Sequence, residues 1–397
     1  MINDDITKRK KITRIIEETT GGKSYKAHKY SLDHDRKQLE YGEEDPTFKW
    51  VKSGETEPPS PYKSVELLAK KLAARDEQVL TYFLDGSRRI FKVDEMAYST
   101  GDRSVIYPTV AGQVGVGICK RVDKRVSAED LVREIVISLP AIADPSGKNS
   151  GFFEALSEKL NKGSELTRIK HSGWMFTETR PYDVKNDDKK PEDKGTAKIQ
   201  DLMIEREKEM VRKLVQQGKL NQDNYLVKDG SLEYRLTRDD KDSYDKRSYQ
   251  IFKQNYNWVI GLSKQFNPEA CFDKGKSNPG YIAKLPLYHR TPVAYYGNEK
   301  EPLAFAVWYI RLRSAERTRT QFDGILKVEK ILVRDEELRR GMETETVDRL
   351  SALIINERNP TCYGLDTRWA NHIYPIYLTE RFVKSQYLSE ESFLHLF

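Results

Sequence analysis

Val79-Leu80-Thr81-Tyr82-Phe83-Leu84-Asp85-Gly86-Ser87 is the stretch on which the fold turns. Its first six residues are apolar or β-branched and read as a buried strand, which delivers Asp85 to a sheet rim at an Asp-Gly-Ser turn. The same design recurs at Tyr225-Leu226-Val227-Lys228-Asp229-Gly230-Ser231. A strand behind an Asp holds its carboxylate rigidly, and Gly86 and Gly230 supply freedom for a sharp turn. Asp-Gly is also a frequent turn dipeptide with no chemistry attached, so each site alone is equally a plain turn.

Working outward, Val65, Leu67, Leu68, Leu72 and Ala73 have helical spacing. Ser87 to Asp94 and Ile106 to Val122 read as strands of an antiparallel meander, with Val114-Gly115-Val116-Gly117-Ile118 alternating small and β-branched residues. Ala128 to Val136 and Phe152 to Leu160 read as helices. Pro181 to Lys194 is almost wholly charged and reads as a solvated linker, marking an insertion near 181–196. Ile199, Leu202, Met203, Met210, Leu214 and Val215 trace an amphipathic helix over 197–217, stopped by Gly218. Strands follow at 258–264, 303–312 and 324–333, then a helix at 343–356. The fold class is α/β: a mixed sheet flanked by helices. Residues 1–60, polar and with a basic start at Lys8 to Lys11, read as an N-terminal arm that can dock a partner or touch DNA; 61–397 form the main domain.

Composition bounds the function classes. The 397 residues are 38% hydrophobic and 33% charged, which suits a globular chain with a charged surface and excludes a disordered one. No apolar run approaches the roughly 20 residues of a membrane span. The N-terminus has no apolar segment of a secretory signal, so the expected location is cytoplasmic. Cys119, Cys271 and Cys362 are too few and too scattered for a disulfide framework or a CxxC zinc site. A net charge of +6, from 68 basic and 62 acidic residues, permits nucleic-acid binding without demonstrating it.

The carboxylates carry the chemistry. On the 197–217 helix, Glu205 and Glu209 are spaced i, i+4 and share a face, whereas Glu207 points away from both. Most such residues merely cover a wet face. Asp85, Asp229 and one of Glu205 and Glu209 form an oxygen donor set for one or two Mg²⁺ or Mn²⁺ ions, which activate water against a phosphodiester. Lys264, closing a strand, can neutralise phosphate or simply sit at an exposed strand end. Arg311 and Arg313 alternate onto one strand face, suited to the DNA backbone or to solvent. His372, among Trp369 and Tyr374, is either a buried hydrogen-bonding residue or a proton carrier.

The order of several of these motifs resembles the NurA nuclease family over roughly residues 78–378. The matching elements are Leu84-Asp85-Gly86-Ser87, the acidic helix 199–215, Val227-Lys228-Asp229-Gly230-Ser231-Leu232, Val259-Ile260-Gly261-Leu262-Ser263-Lys264, and a late segment with Tyr363 and Ala370-Asn371-His372. The resemblance implies an RNase H-like fold and Mn²⁺-dependent DNA exonuclease and endonuclease activity. It further implies a homodimer and a hexameric HerA-type ATPase partner in DNA end processing or anti-phage defence. By the same resemblance Asp85, a helix Glu and Asp229 are metal-binding carboxylates, with Glu209 the nearer match and Glu205 left open. His372 and Tyr363 match the family's late His and the Tyr before it. The late motif departs from the family pattern: Gly364 follows Tyr363, and Asn371 separates Ala370 from His372. The alternative is a catalytically silent RNase H-like adaptor of a translocase complex.

Overall fold

The run from Val79 becomes the strand at the middle of the sheet, and it does not stop at Gly86. In the computed structural model, which describes residues 11–33, 49–100, 102–147, 151–163, 166–170, 173–185, 189–232, 252–273, 276–298, 301–360 and 367–397, strand β1 spans Leu80–Thr100. It is followed by β2 (Arg103–Val122), β3 (Arg125–Pro140) and β4 (Met175–Tyr182). Beyond these lie β5 (Tyr225–Asp229), β6 (Val259–Ser263), β7 (Ala294–Asn298), β8 (Glu301–Arg311) and β9 (Ile325–Ile331). The main helices are α1 (Ile12–Thr20), α2 (Glu66–Ala74), α3 (Phe152–Gly163), α4 (Pro191–Gln216), α5 (Thr344–Asn356) and α6 (Tyr374–Ser385).

Strands β1, β2 and β3 pair antiparallel, as tight connections allow, while β5 returns parallel to β1 on its other side and β6 lies parallel to β5. Parallel pairing needs a long crossover, and α4 lies within it. The order β3-β2-β1-β5-β6 is the RNase H-like arrangement. Antiparallel β9, β8, β7 and the edge strand Lys49–Ser53 extend it past β6, and β4 extends it past β3, giving one mixed sheet. Alternation along β1 splits the core. Tyr82 and Leu84 share a cluster with Ile199, Leu202, Met210 and Leu214 of α4, so α4 covers that face. Phe83, Val227 and Ile260 share another with Leu72 of α2, Val347 and Leu353 of α5 and Ile376 of α6, which cover the opposite face. Among the described residues no helix is long and apolar enough to cross a membrane.

Two local expectations are corrected. Ala128 to Val136 is strand, within β3. Its Ala-Glu-Asp-Leu-Val-Arg-Glu composition favours helix locally, but Leu131 to Ile137 register against Gly117 to Ala111 of β2, and β4 pairs on the other side from Glu134 onward. The ladders outweigh the propensity. The stretch from Pro181 is not a free linker at its ends, because Tyr182 is fully buried with its hydroxyl donating to the Pro108 carbonyl at 2.7 Å, and α4 starts at Pro191. Within residues 1–60, α1 and the segment around Glu55 pack against the rest of the molecule, while Tyr25 and Tyr30 are exposed. Ile12, Ile15 and Ile16 of α1 share a cluster with Phe153, Leu156 and Leu160 of α3, and buried Glu55 holds the Arg290 guanidinium at 2.8 and 3.0 Å. Lys8 to Lys10 lie outside the described residues.

Gly86 is needed for proximity and Gly230 for its turn. Gly230 has φ +87°, in the region that favours glycine, and ends the β5 segment. Gly86 instead has α4 lying directly on it: a Cβ there would stand 2.4 Å from Glu207 Oε1 and 3.1 Å from Met203 Cγ. Gly86→Ala is therefore expected to destabilise the fold by about 1–3 kcal/mol through overpacking, read as a lower denaturant midpoint with an unchanged slope. A variant as stable as the parent would show that α4 has room to move away from β1.

Candidate active site

Adjacent parallel strands deliver the two aspartates side by side. Leu84 is the register partner of Lys228, so Asp85 and Asp229 follow together on β1 and β5, and alternation turns both toward the α6 face. Lys264 follows β6, the next strand over, whose Leu262 pairs with Asp229. Its ammonium donates to Asp229 Oδ2 at 2.7 Å, with the lysine side chain 16% exposed. The fourth contributor is α6, which approaches closely because β2 carries glycine opposite the motif: Gly117 pairs with Asp85 and Gly115 with Ser87. Cβ atoms at those glycines would stand 2.6 and 2.8 Å from Val383 of α6. Val383 and Glu380 lie on the same helix face, so the close approach brings Glu380 over the aspartates.

His372, just before α6, is 1% exposed. Its Nε2 lies 3.0 Å from Lys264 Nζ and 3.1 Å from Glu380 Oε2, and its Nδ1 lies 3.2 Å from the Ile373 carbonyl oxygen. Burial first, then the Lys264 charge, lowers the imidazole pKa, so the ring is neutral. These partners assign Nδ1–H as the donor to Ile373, leaving Nε2 to accept from Lys264. Glu380 stands ready to accept from Nε2–H whenever the ring takes a proton. Burial works to raise the Glu380 carboxyl, but His372, Lys264 and Lys384 outweigh it and hold it well below the usual carboxylate range.

The two aspartates differ. Burial opposes the charge of Asp229, yet Lys264 and His372 prevail and hold its pKa low. Asp85, 5% exposed, accepts no hydrogen bond from any described residue; burial, then Asp229, Glu380 and Glu207, push its carboxyl well above the usual range against the pull of Lys264. Asp85 is thus the member of the pair that takes a proton or a cation first.

The helix phase expected for α4 is reversed. Glu205 is bound by Arg180 at 2.5 Å and Glu209 by Arg206 at 3.0 Å, both with carboxyl side chains about half exposed. Glu207 is 3% exposed and pairs with Lys228 of β5 at 3.0 Å. Burial pushes its carboxyl up against that lysine's pull. The signal was in the spacing: Met203, Glu207, Met210 and Leu214 form one stripe, so Glu207 sits inside the apolar face. Glu380 carries the same signal among Ile376, Thr379 and Val383 and was missed.

Lys264 and His372 therefore join Asp85 and Asp229, whereas Glu205 and Glu209 do not. Arg311 is corrected too. It is 2% exposed and spends its guanidinium on the carbonyls of Leu285, Ala283 at 2.8 Å and Gln321 at 2.9 Å, so it braces loops and is closed to DNA. Tyr363 lies outside the described residues.

Among the described residues no three His, Cys, Asp or Glu side chains converge into a metal cage. The donor set fits a looser mode of binding. Mg²⁺ is commonly held by one or two carboxylates and completes its shell with water and substrate phosphate. Asp85, which accepts no hydrogen bond from any described residue, and Asp229 would supply two hard oxygen ligands of that kind.

Asp85 gives a sign-definite expectation. A carboxyl raised in the folded state costs stability as pH climbs through its folded pKa, because the unfolded chain releases that proton more easily. Asp85→Asn, neutral at every pH, should therefore melt higher than the parent at pH 8, with the gap closing on acidification as the parental Asp85 takes its proton. Thermal melts of both proteins across pH measure this; a pH-independent gap would show that Asp85 is not the strained charge.

No family model matches the chain, and no curated protein sequence matches it. Among solved structures the chain is similar to the crystal structure of the NurA nuclease from Sulfolobus solfataricus, at 10% identity and a TM-score of 0.40, over 84% of this chain and 92% of that one. An overlap at that level carries no argument, so the functional reading rests on the strand order and side chains described above.

Proposed function

We propose that this chain is a nuclease that hydrolyses DNA phosphodiester bonds at the rim where β5 and β6 end beside Asp85 of β1. The observation that carries it is the pairing of Asp85 and Asp229 on adjacent parallel strands, with Lys264, His372 and Glu380 gathered against them. So many buried ionisable groups are costly for a fold, and such clusters concentrate at functional sites.

In this reading Asp85 and Asp229 hold Mg²⁺ or Mn²⁺, which when bound activates water and stabilises the leaving oxygen. Lys264 presents an ammonium within the cluster, placed to neutralise a phosphate oxygen. Neutral His372 can take a proton at Nε2 when Lys264 turns its donor from that nitrogen to substrate, with Glu380 at 3.1 Å to accept from the imidazolium and Lys384, 2.7 Å from Glu380, to hold that carboxylate charged. Glu207 acts from the opposite face of the sheet by fixing Lys228, whose backbone sets the position of Asp229. A second copy and a hexameric HerA-type translocase remain part of the proposal as partners, supported by the motif order, and sizing of the protein alone and mixed with such an ATPase tests them.

The test of the reaction is full-length protein incubated with linear and circular DNA in Mg²⁺, Mn²⁺ or chelator. Metal-dependent cleavage is expected, reduced by about 100-fold or more in Asp85→Asn and Asp229→Asn. Glu207→Gln should also lose activity, while Glu205→Gln and Glu209→Gln keep it. Full cleavage by folded Asp85→Asn and Asp229→Asn would remove the site, and a folded parent that binds DNA without cutting it would favour the adaptor.

A further inference from the structure

The rim that carries the aspartates continues into a pair of arginines. On β9 and its neighbours, Ser263 at the end of β6 pairs with Lys327, and Arg311 at the end of β8 pairs with Ile325, so the loop after β8 emerges at the same end of the sheet as Lys264. Asn371, next to His372, ties the two together. Its Nδ2 donates to the Lys264 carbonyl at 2.9 Å and to the Ile325 carbonyl at 2.6 Å, while its Oδ1 accepts from Gly324 N at 2.6 Å. Gly324 in turn lies against Arg313: a Cβ there would stand 2.6 Å from the Arg313 Cβ.

Arg313 reaches from this loop to the Asn359 carbonyl, to which it donates, and the adjacent residue is Arg358. The strand of main chain they share is bonded to the His372 segment, with Asn359 N donating to the His372 carbonyl at 3.0 Å. Each guanidinium lies over an aromatic ring, Arg313 at 5.0 Å from the Trp369 centroid and Arg358 at 5.1 Å from that of Tyr288. Neither pairs with a carboxylate among the described residues, and Glu357 between them in sequence is committed to Arg121, bidentate at 2.6 Å for both bonds. Arg313 Nε is buried with no hydrogen-bond partner. Burial and then the Arg358 charge both act against the Arg313 positive charge.

Two like charges acting on each other, with the sequence-adjacent Glu357 carboxylate already occupied, are costly unless an anion completes them. Planar guanidinium forks match phosphate oxygens, and the flanking rings orient the forks without neutralising them. We propose that Arg313 and Arg358 form a binding site for a backbone phosphate of the nucleic-acid strand, gripping it beside His372 as it runs to the Asp85–Asp229 centre. The site rests on the nuclease reading for its role, and its ligand is a phosphodiester rather than a base.

The experiment measures binding of a labelled oligonucleotide by fluorescence anisotropy in chelator, on an Asp229→Asn background, between about 50 and 200 mM salt. Arg358→Gln is compared with the Arg313→Gln/Arg358→Gln pair and with Arg340→Gln at the opposite end of the sheet. Expected is a roughly tenfold loss of affinity in Arg358→Gln at low salt, with the slope of log affinity against log salt reduced by about one per arginine, and no change in Arg340→Gln. The single variant keeps the test decisive if the double variant does not fold. Affinity and slope unchanged in folded Arg358→Gln would overturn the site. Cleavage by the unsubstituted protein is followed separately: arginine-dependent binding without any cleavage keeps the site and removes the nuclease reading, whereas cleavage with arginine-independent binding removes the site alone.

Discussion

The structure is organised around the repulsion between Asp85 and Asp229. Two carboxylates side by side in a nearly dry rim cannot both stay charged unless a cation is fixed beside them. Lys264 provides one, bound to Asp229 at 2.7 Å, and Lys228 provides another on the far face through Glu207 at 3.0 Å. Asp85 is the remainder, without a hydrogen-bond partner among the described residues and pushed well above the usual carboxylate range by burial and by its neighbours. A chain selected for stability alone would place an amide or an apolar residue there. A carboxylate kept at the fold's own expense is the observation behind the proposal of a site there.

The backbone is shaped to make the cluster possible from both faces. Gly86 lets α4 bring Glu207 down onto β1, and Gly115 and Gly117 let α6 bring Glu380 down onto the other side. Each helix thereby inserts a carboxylate through an otherwise apolar stripe, at the level of the aspartates. The three glycines act together as an approach distance. The extension of the sheet through β9 and β8 adds the second feature of the rim, because it carries the Arg313 loop to the same end as Lys264.

Elsewhere, buried charge is spent on architecture. Arg290 is fully buried and shared between Glu55 at 2.8 Å and Asp348 at 2.6 Å, which pins the segment after the Lys49–Ser53 edge strand to α5. Arg311 does similar work with backbone carbonyls alone. Arg313, two residues on and in the loop after β8, differs: it donates to the Asn359 carbonyl, lies over Trp369 and pairs with no carboxylate among the described residues.

Periodicity in the sequence determined the strands bearing the aspartates and the amphipathic helix that becomes α4, because buried strands and amphipathic helices write themselves in local patterns. It also contained Glu207 and Glu380, as acidic residues inside apolar stripes; counting i, i+4 pairs among carboxylates alone hid them, whereas phasing the helix on its apolar residues reveals them. What only the tertiary structure decided was everything that depends on what lies opposite. Ala128 to Val136 became strand because two ladders flank it, and α1 and Glu55 found their places against α3 and Arg290, partners distant in sequence. His372 and Lys264, 108 positions apart in the chain, meet only when α6 docks on the glycines of β2. Local sequence specifies conformation over a few residues; the charge balance of a site is a property of neighbours that the chain brings together last.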